Sequence, residues 1–244
     1  MYTWKKSFGA AFAGLALALA FTAQPAQGSI ITYSSQAVFD AAFPGLTQQD
    51  FSAAKVADGG FGLMANPLDS STNNAIFKPG DIKDGLRITV GHSSFSDPDN
   101  LFIAGKGFAN YVRKAVSYEG GDTESPKMTV SFYNNNVNAF GLDLTSNPDG
   151  NTVTLELFSG AKDLGGITVQ NVKGAGTFIG AFEDDLSMPI TRVELNSPGN
   201  FFGFDNVEFG PASVPEPTSL ALGAIGILGL YVGGRVRKWS RAAR

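Results

Sequence analysis

Between Leu86 and Phe209 the chain is a succession of short apolar runs, each closed by glycine, asparagine, aspartate or serine. Thr152–Phe158 shows the pattern most clearly: Val153, Leu155 and Leu157 fall on one face, Thr154 and Glu156 on the other. A period of two places one face of a strand in a core and the other in solvent, and it does not fit a helical stripe. The same reading predicts strands over Leu86–Val90, Leu101–Ala104, Met128–Tyr133, Val137–Leu144, Gly165–Gln170, Thr177–Phe182, Ile190–Leu195 and Phe201–Phe209. Asn134-Asn135-Asn136 reads as a tight hairpin turn, because asparagine tolerates the left-handed region. Short strands at this spacing predict an all-β fold, an antiparallel β-sandwich or jelly roll.

Upstream the pattern is weaker. Ile30–Tyr33 is a short β-like start. Ser34 and Ser35 cap a short N-terminal helix running through Phe43, with Val38, Phe39 and Ala42 on one side, and Pro44-Gly45 breaks it. Gln48–Ser52 reads as a strand carrying Asp50 and Phe51. Residues 53–85 are rich in glycine, asparagine, aspartate and serine and read as a long irregular segment.

Cysteine is absent, so a hydrophobic core must hold the fold. The chain has 20 phenylalanines, and only Phe8, Phe12 and Phe21 precede residue 29. Residues 29–213 carry 11 Lys or Arg against 21 Asp or Glu, a formal charge of −10 that the whole-chain value of −4 conceals. So acidic a body is not suited to nucleic acid or anionic lipid.

The two ends differ from the body. Lys5 and Lys6, an uncharged run from Ser7 to Ala23, and Ala26-Gln27-Gly28 form a secretory signal pattern over residues 1–28. Cleavage is expected after Gly28 or after Ala26; the alternative is a retained anchor. After a β-sandwich domain over residues 29–209, residues 210–218 form an extended linker stiffened by proline. Ser219–Gly234 follows, 16 residues without a charge. With Pro217 and Thr218 it reaches the lower limit for a single transmembrane helix, about 17 residues. Arg235, Arg237, Lys238, Arg241 and Arg244 form a basic cytoplasmic tail over residues 235–244.

Pro215, Glu216 and Pro217, the glycine- and leucine-rich span and the arginine-rich end closely resemble the PEP-CTERM sorting signal of exopolysaccharide-producing Gram-negative bacteria. The resemblance implies recognition by an exosortase, processing near the motif, and delivery to the cell surface or extracellular matrix. It covers about the last 31 residues. The span suits either a segment that is removed or a membrane anchor that is kept. The body also resembles the jelly-roll domains often found ahead of such tails, through Val137–Leu144, Gly180–Leu195 and residues 202–209.

Candidate chemistry is sparse. The one histidine, His92, lies in Gly-His-Ser-Ser, and no nucleophile-elbow pattern surrounds any serine. One histidine and no cysteine leave no ordinary zinc site. Gly105-Lys106-Gly107 and Gly174-Ala175-Gly176 are turns rather than phosphate loops, since neither joins a strand to a helix. In Phe201–Phe209, strict alternation puts Asp205 on the face of Val207 and Phe209, where a carboxylate is costly unless paired. Either Asp205-Asn206 forms an edge or bulge that accepts backbone N–H groups, or Asp205 joins Asp50 in a structural calcium site. Jelly-roll binding modules resembling this body often hold such an ion.

Glycan binding would need aromatic platforms. Both tryptophans, Trp4 and Trp239, lie outside the body, which leaves Tyr118 and Tyr133 as the leading candidates beside Tyr33 and Tyr111. The expectation is an exported, non-enzymatic protein of the cell surface or exopolysaccharide matrix, structural or adhesive. The alternatives are a polysaccharide-binding module and, third, a hydrolase using two carboxylates.

Overall fold

The computed structural model describes residues 29–64, 66–91, 101–118, 127–133, 136–146, 150–197 and 202–212. Except for Ala212, these belong to one unit of the chain, which ends at Pro211. The expected signal segment, His92, the sorting motif, the apolar span and the basic tail lie outside the described residues. Among the described residues no helix is long and apolar enough to cross a membrane.

Fourteen strands alternate along the described chain with one short helix, α1 (Gln36–Ala42). In order they are β1 (Ile30–Tyr33), β2 (Thr47–Gln49), β3 (Phe61–Leu63), β4 (Leu68–Asp69), β5 (Leu86–Val90), β6 (Leu101–Ala104) and β7 (Ala115–Tyr118). Then come β8 (Lys127–Phe132), β9 (Ala139–Ser146), β10 (Asn151–Ser159), β11 (Lys162–Val172), β12 (Thr177–Glu183), β13 (Arg192–Asn196) and β14 (Phe202–Gly210). They form two antiparallel sheets. The larger has the order β1-β12-β9-β14-β7-β6-β3, with β2 also on β14; the smaller has the order β11-β10-β13-β8-β5-β4.

Alternation builds the core. Phe140, Leu142 and Leu144 of β9 and Phe202, Phe204, Val207 and Phe209 of β14 point inward from the larger sheet. Val153, Leu155 and Leu157 of β10 meet them from the smaller one, together with Ile88, Val130 and Val193. The Phe132 ring of β8 reaches across to Phe140 and Phe209, with centroids 5.5 and 5.3 Å apart. Each such side chain, fully buried, contributes about 1.5–3 kcal/mol.

Several expectations change. Met128–Tyr133 and Val137–Leu144 are not a hairpin: β8 belongs to the smaller sheet and β9 to the larger. Asn134 and Asn135 lie outside the described residues; the sheet each strand joins rests on distant partners and leaves no local signal. The 53–85 segment contains β3 and β4, too short to show a period. β7 carries small residues on its outer face, Ala115 and Ser117, because that face is tightly covered; this hides its alternation. The strand at Gln48 is β2, which stops at Gln49. In α1, Phe39 is fully buried whereas Val38 is 57% exposed.

That helix docks on the outer face of the larger sheet. Gly141 and Gly180 face each other across β9 and β12. The Phe39 ring lies so close that a Cβ would meet it at 3.1 Å from Gly141 and 2.6 Å from Gly180. Tyr33, Phe43 and Phe178 close around it, with centroids 5.0–5.5 Å from the Phe39 ring. Gly180→Ala should therefore displace α1 and cost about 1–3 kcal/mol, the usual cost of overpacking. Denaturant unfolding measures this; an unchanged midpoint would show that Phe39 yields freely.

Candidate functional site

Asp205 and Asn206 interrupt β14. Asp205 faces Asp143 of β9 and Glu208 faces Gly141, so two residues of β14 oppose only Leu142. This is a β-bulge, and Asn206 holds the left-handed conformation it requires, at φ 49°. The extra residue shifts the phase of the strand. Phe204 and Val207 both enter the core, while Asp205 leaves the Val207 face and lies with Asp143 and Glu208 on the outer side. The Asp205-Asn206 bulge is thus observed.

At the bulge the partner on the other edge of β14 changes. On its other edge β14 pairs β7 through residues 202–204 and β2 through residues 207–209, with no ladder between. The sheet opens beside Asp205. An open groove of about 690 Å³ occupies this position, lined among others by Gln36, Gln48, Asp50, Arg113, Asp205 and Asn206. Toward Tyr111, Thr145 and Gly174 a narrower cavity of about 110 Å³ shares Asp205 and Arg113 with it.

Arg113 and Asp143 form an ion pair beside the groove. Asp143 Oδ2 accepts hydrogen bonds from Arg113 Nη1 and Asn206 Nδ2, each at 2.7 Å. Asp205 Oδ1 accepts from the Phe51 N–H at 3.4 Å. Burial pushes the Asp205 carboxyl from its ordinary 3.8 up to about 6, against the pull of the Asn206 and Phe51 N–H groups and of Arg113. Glu208 takes a 2.6 Å hydrogen bond from the Gln36 amide of α1. Burial, and then the neighbouring Asp40, raise it to about 7.

Aromatic rings continue this face beyond the groove. Asp58 and Lys106 line its far side. Their loops are joined by Gly59 N–H to Lys106 O at 2.7 Å and Gly105 N–H to Gly60 O at 2.8 Å. A Cβ on Gly105 would lie 2.1 Å from the Ala57 carbonyl oxygen, so only glycine fits that approach. Next to these loops Phe61, Phe108 and Tyr111 follow one another, the first pair tilted and the second edge to face, with centroids 5.6 and 6.2 Å apart. Phe61 is 59% exposed. Tyr111 is buried, which pushes its hydroxyl up to about 12, with Ser117 beside it.

The residues singled out from the sequence are dispersed. Asp50 and Asp205 open onto the same groove. Among the described residues, however, no three His, Cys, Asp or Glu gather as a metal site would need. Asp50 Oδ1 instead accepts from the Ser52 hydroxyl at 2.7 Å. Tyr118 is 1% exposed and packs in the main core, so it offers no face to a ligand; on β7 its position alternates inward with Val116. Tyr133 is half-buried after β8 in the other sheet, its hydroxyl 3.4 Å from the Leu86 carbonyl. Sequence reasoning missed Arg113 and Asp143 and named Asn206 only as half of an edge or bulge. Asp143 did carry a signal, an acid inside the apolar run Ala139–Leu144.

A raised carboxyl pKa has a definite sign. Between pH 4 and 6 the folded protein holds the Asp205 proton and the unfolded chain does not, so stability falls as pH rises. The gap from 3.8 to about 6 corresponds to about 3 kcal/mol at most. Asp205→Asn should remove this part of the decline and raise the melting temperature at pH 8 more than at pH 4. Equal shifts at both pH values would contradict the assignment.

Comparison with known proteins adds the following. A PEP-CTERM protein-sorting motif matches residues 213–238. No curated protein matches the chain. Among solved structures, the family 29 carbohydrate-binding module CBM29_1 from Piromyces equi is 12% identical with a TM-score of 0.33, over 57% of this chain and 89% of that one. The family 11 carbohydrate-binding module from Clostridium thermocellum is 11% identical with a TM-score of 0.30, over 69% and 98%. The CBM22-1–GH10 modules of a Clostridium thermocellum xylanase are 8% identical with a TM-score of 0.33, over 69% and 28%. Likeness at these scores transfers neither ligand nor residue role.

Proposed function

We propose that this chain, which carries a PEP-CTERM sorting motif, is an exported protein of the cell surface or exopolysaccharide matrix with a structural or adhesive, non-enzymatic role. The observation that carries the reading is the motif at residues 213–238. The secretory pattern of residues 1–28 agrees with it, because export and a basic cytoplasmic end give one consistent topology: body out, tail in. An exosortase-type enzyme is the expected partner. The uncharged run Ser219–Gly234 holds the chain at the membrane until processing removes it.

The body suits that location. Its charge of −10 keeps it soluble among hydrated polysaccharides and repels anionic surfaces. Its stability comes from a phenylalanine-rich core with no cysteine, so it does not depend on the redox state of its surroundings. Polysaccharide binding is the second reading, and the open groove beside Asp205 is the observation that favours it. A carboxylate hydrolase is the third; it requires release of new reducing ends from a glycan, lost on Asp205→Asn.

Fractionation of cells producing the full chain, with and without Pro215-Glu216-Pro217, tests the sorting reading. Deletion of the triplet should leave a larger, unprocessed form in the membrane fraction and deplete the surface or matrix fraction. Unchanged size and location would sink it.

A further inference from the structure

We propose that the outer face of the larger sheet binds a neutral polysaccharide, with the Phe61 ring as a stacking platform and the groove around Asp205, Asn206 and Gln48 as the hydroxyl-binding part. This deepens the second reading above and does not depend on the sorting reading.

The lining of the groove narrows the ligand class. A polyanion needs several free cations, and of the three that line the groove, Arg113, Lys114 and Lys106, the first two are committed. Arg113 is paired with Asp143 at 2.7 Å, and Lys114 Nζ donates to the Ser52 and Ala54 carbonyls at 3.3 and 2.5 Å. A bound cation needs converging carboxylates, and among the described residues no such group of three exists. What remains is a set of planar amides and carboxylates with a few N–H donors. Sugar hydroxyls both donate and accept, so a mixed lining of this kind matches them better than it matches a single charge. The volume, about 690 Å³, lies within the range of about 300–1,000 Å³ usual for small-ligand sites.

The aromatic end supplies what the polar groove lacks. Phe61 and Leu63 on β3 are 59% and 65% exposed, an apolar patch on an otherwise polar rim. The Phe61 ring is braced by Phe102 and Phe108, at centroid distances of 6.0 and 5.6 Å, so it is held in one orientation at low entropic cost. It lies three residues after Asp58, which lines the groove, and the Gly59–Lys106 and Gly105–Gly60 hydrogen bonds tie that loop to the groove's far side. A rigid exposed ring next to a polar groove can bind the apolar face of a pyranose while its hydroxyls reach the amides.

The test is affinity electrophoresis of the full-length chain, extracted in mild detergent, through gels containing mixed-linkage β-glucan, galactomannan or xylan, with alginate as the polyanion. At least one neutral polysaccharide should retard the protein, and alginate should not. Phe61→Ala should weaken the retardation roughly tenfold, as loss of about 1.4 kcal/mol implies. Gln48→Ala should weaken it several-fold, while Leu186→Ala, an exposed residue after β12, should leave it unchanged. Circular dichroism confirms that these surface variants fold. No retardation by any of the three neutral polymers, retardation by alginate alone, or binding unaffected by Phe61→Ala would each overturn the proposal. If it fails while deletion of Pro215-Glu216-Pro217 still changes size and location, the sorting reading stands without it.

Discussion

One extra residue in β14 sets the organisation of the larger sheet. By inserting Asn206 in a left-handed conformation, the strand changes phase midway and keeps Phe202, Phe204, Val207 and Phe209 in the core. The same shift puts Asp205 opposite Asp143 and brings Asn206 within 2.7 Å of that carboxylate. Without the bulge, strict alternation would turn either Glu208 or Asp205 inward, depending on which half of β14 kept its phase, at a cost of several kcal/mol for the unpaired charge. With it, the acids cluster on the outer face, where Arg113, Gln36 and backbone N–H groups compensate them. The gap on the edge of β14 between its pairing with β7 and its pairing with β2 lies at the same bulge, and the groove opens there.

The rest of that face is covered, and the coverings explain the small residues beneath them. At one end α1 lays Phe39 over the facing pair Gly141 and Gly180. At the other, Phe108 and Tyr111 lie over Phe102, Ala104 and Ala115. Gly203 belongs to the same economy: a Cβ there would meet Ser117 Oγ at 2.3 Å, so close approach of β7 and β14 requires glycine. Between these two coverings the sheet stays polar and open. The groove is thus bounded by packing on both sides.

Address and body answer to different physics. Sorting depends on a short linear pattern, a proline-flanked acid, an uncharged span and a cluster of cations, and needs no folded partner within the chain. The body depends on contacts between residues far apart in sequence. Asp143 and Asn206 are separated by 63 positions, and Arg113 precedes Asp143 by 30.

This division decides what could be read in advance. The sequence by itself determined the sorting motif, the acidic and cysteine-free character of the body, and several strands: β1, β5 and β6 lie where the reading puts them, and β10, which alternates throughout, within a residue at either end. Local periodicity is enough for these, because a strand's own side chains define its two faces. Asp205 was visible as an acid in an apolar strand, but its direction was not. Only the tertiary structure decided which sheet β8 and β9 join, that Tyr118 faces the core, and that Asp205 turns outward. Each of these depends on register against a strand distant in the chain, and a one-residue change in register reverses every face that follows it.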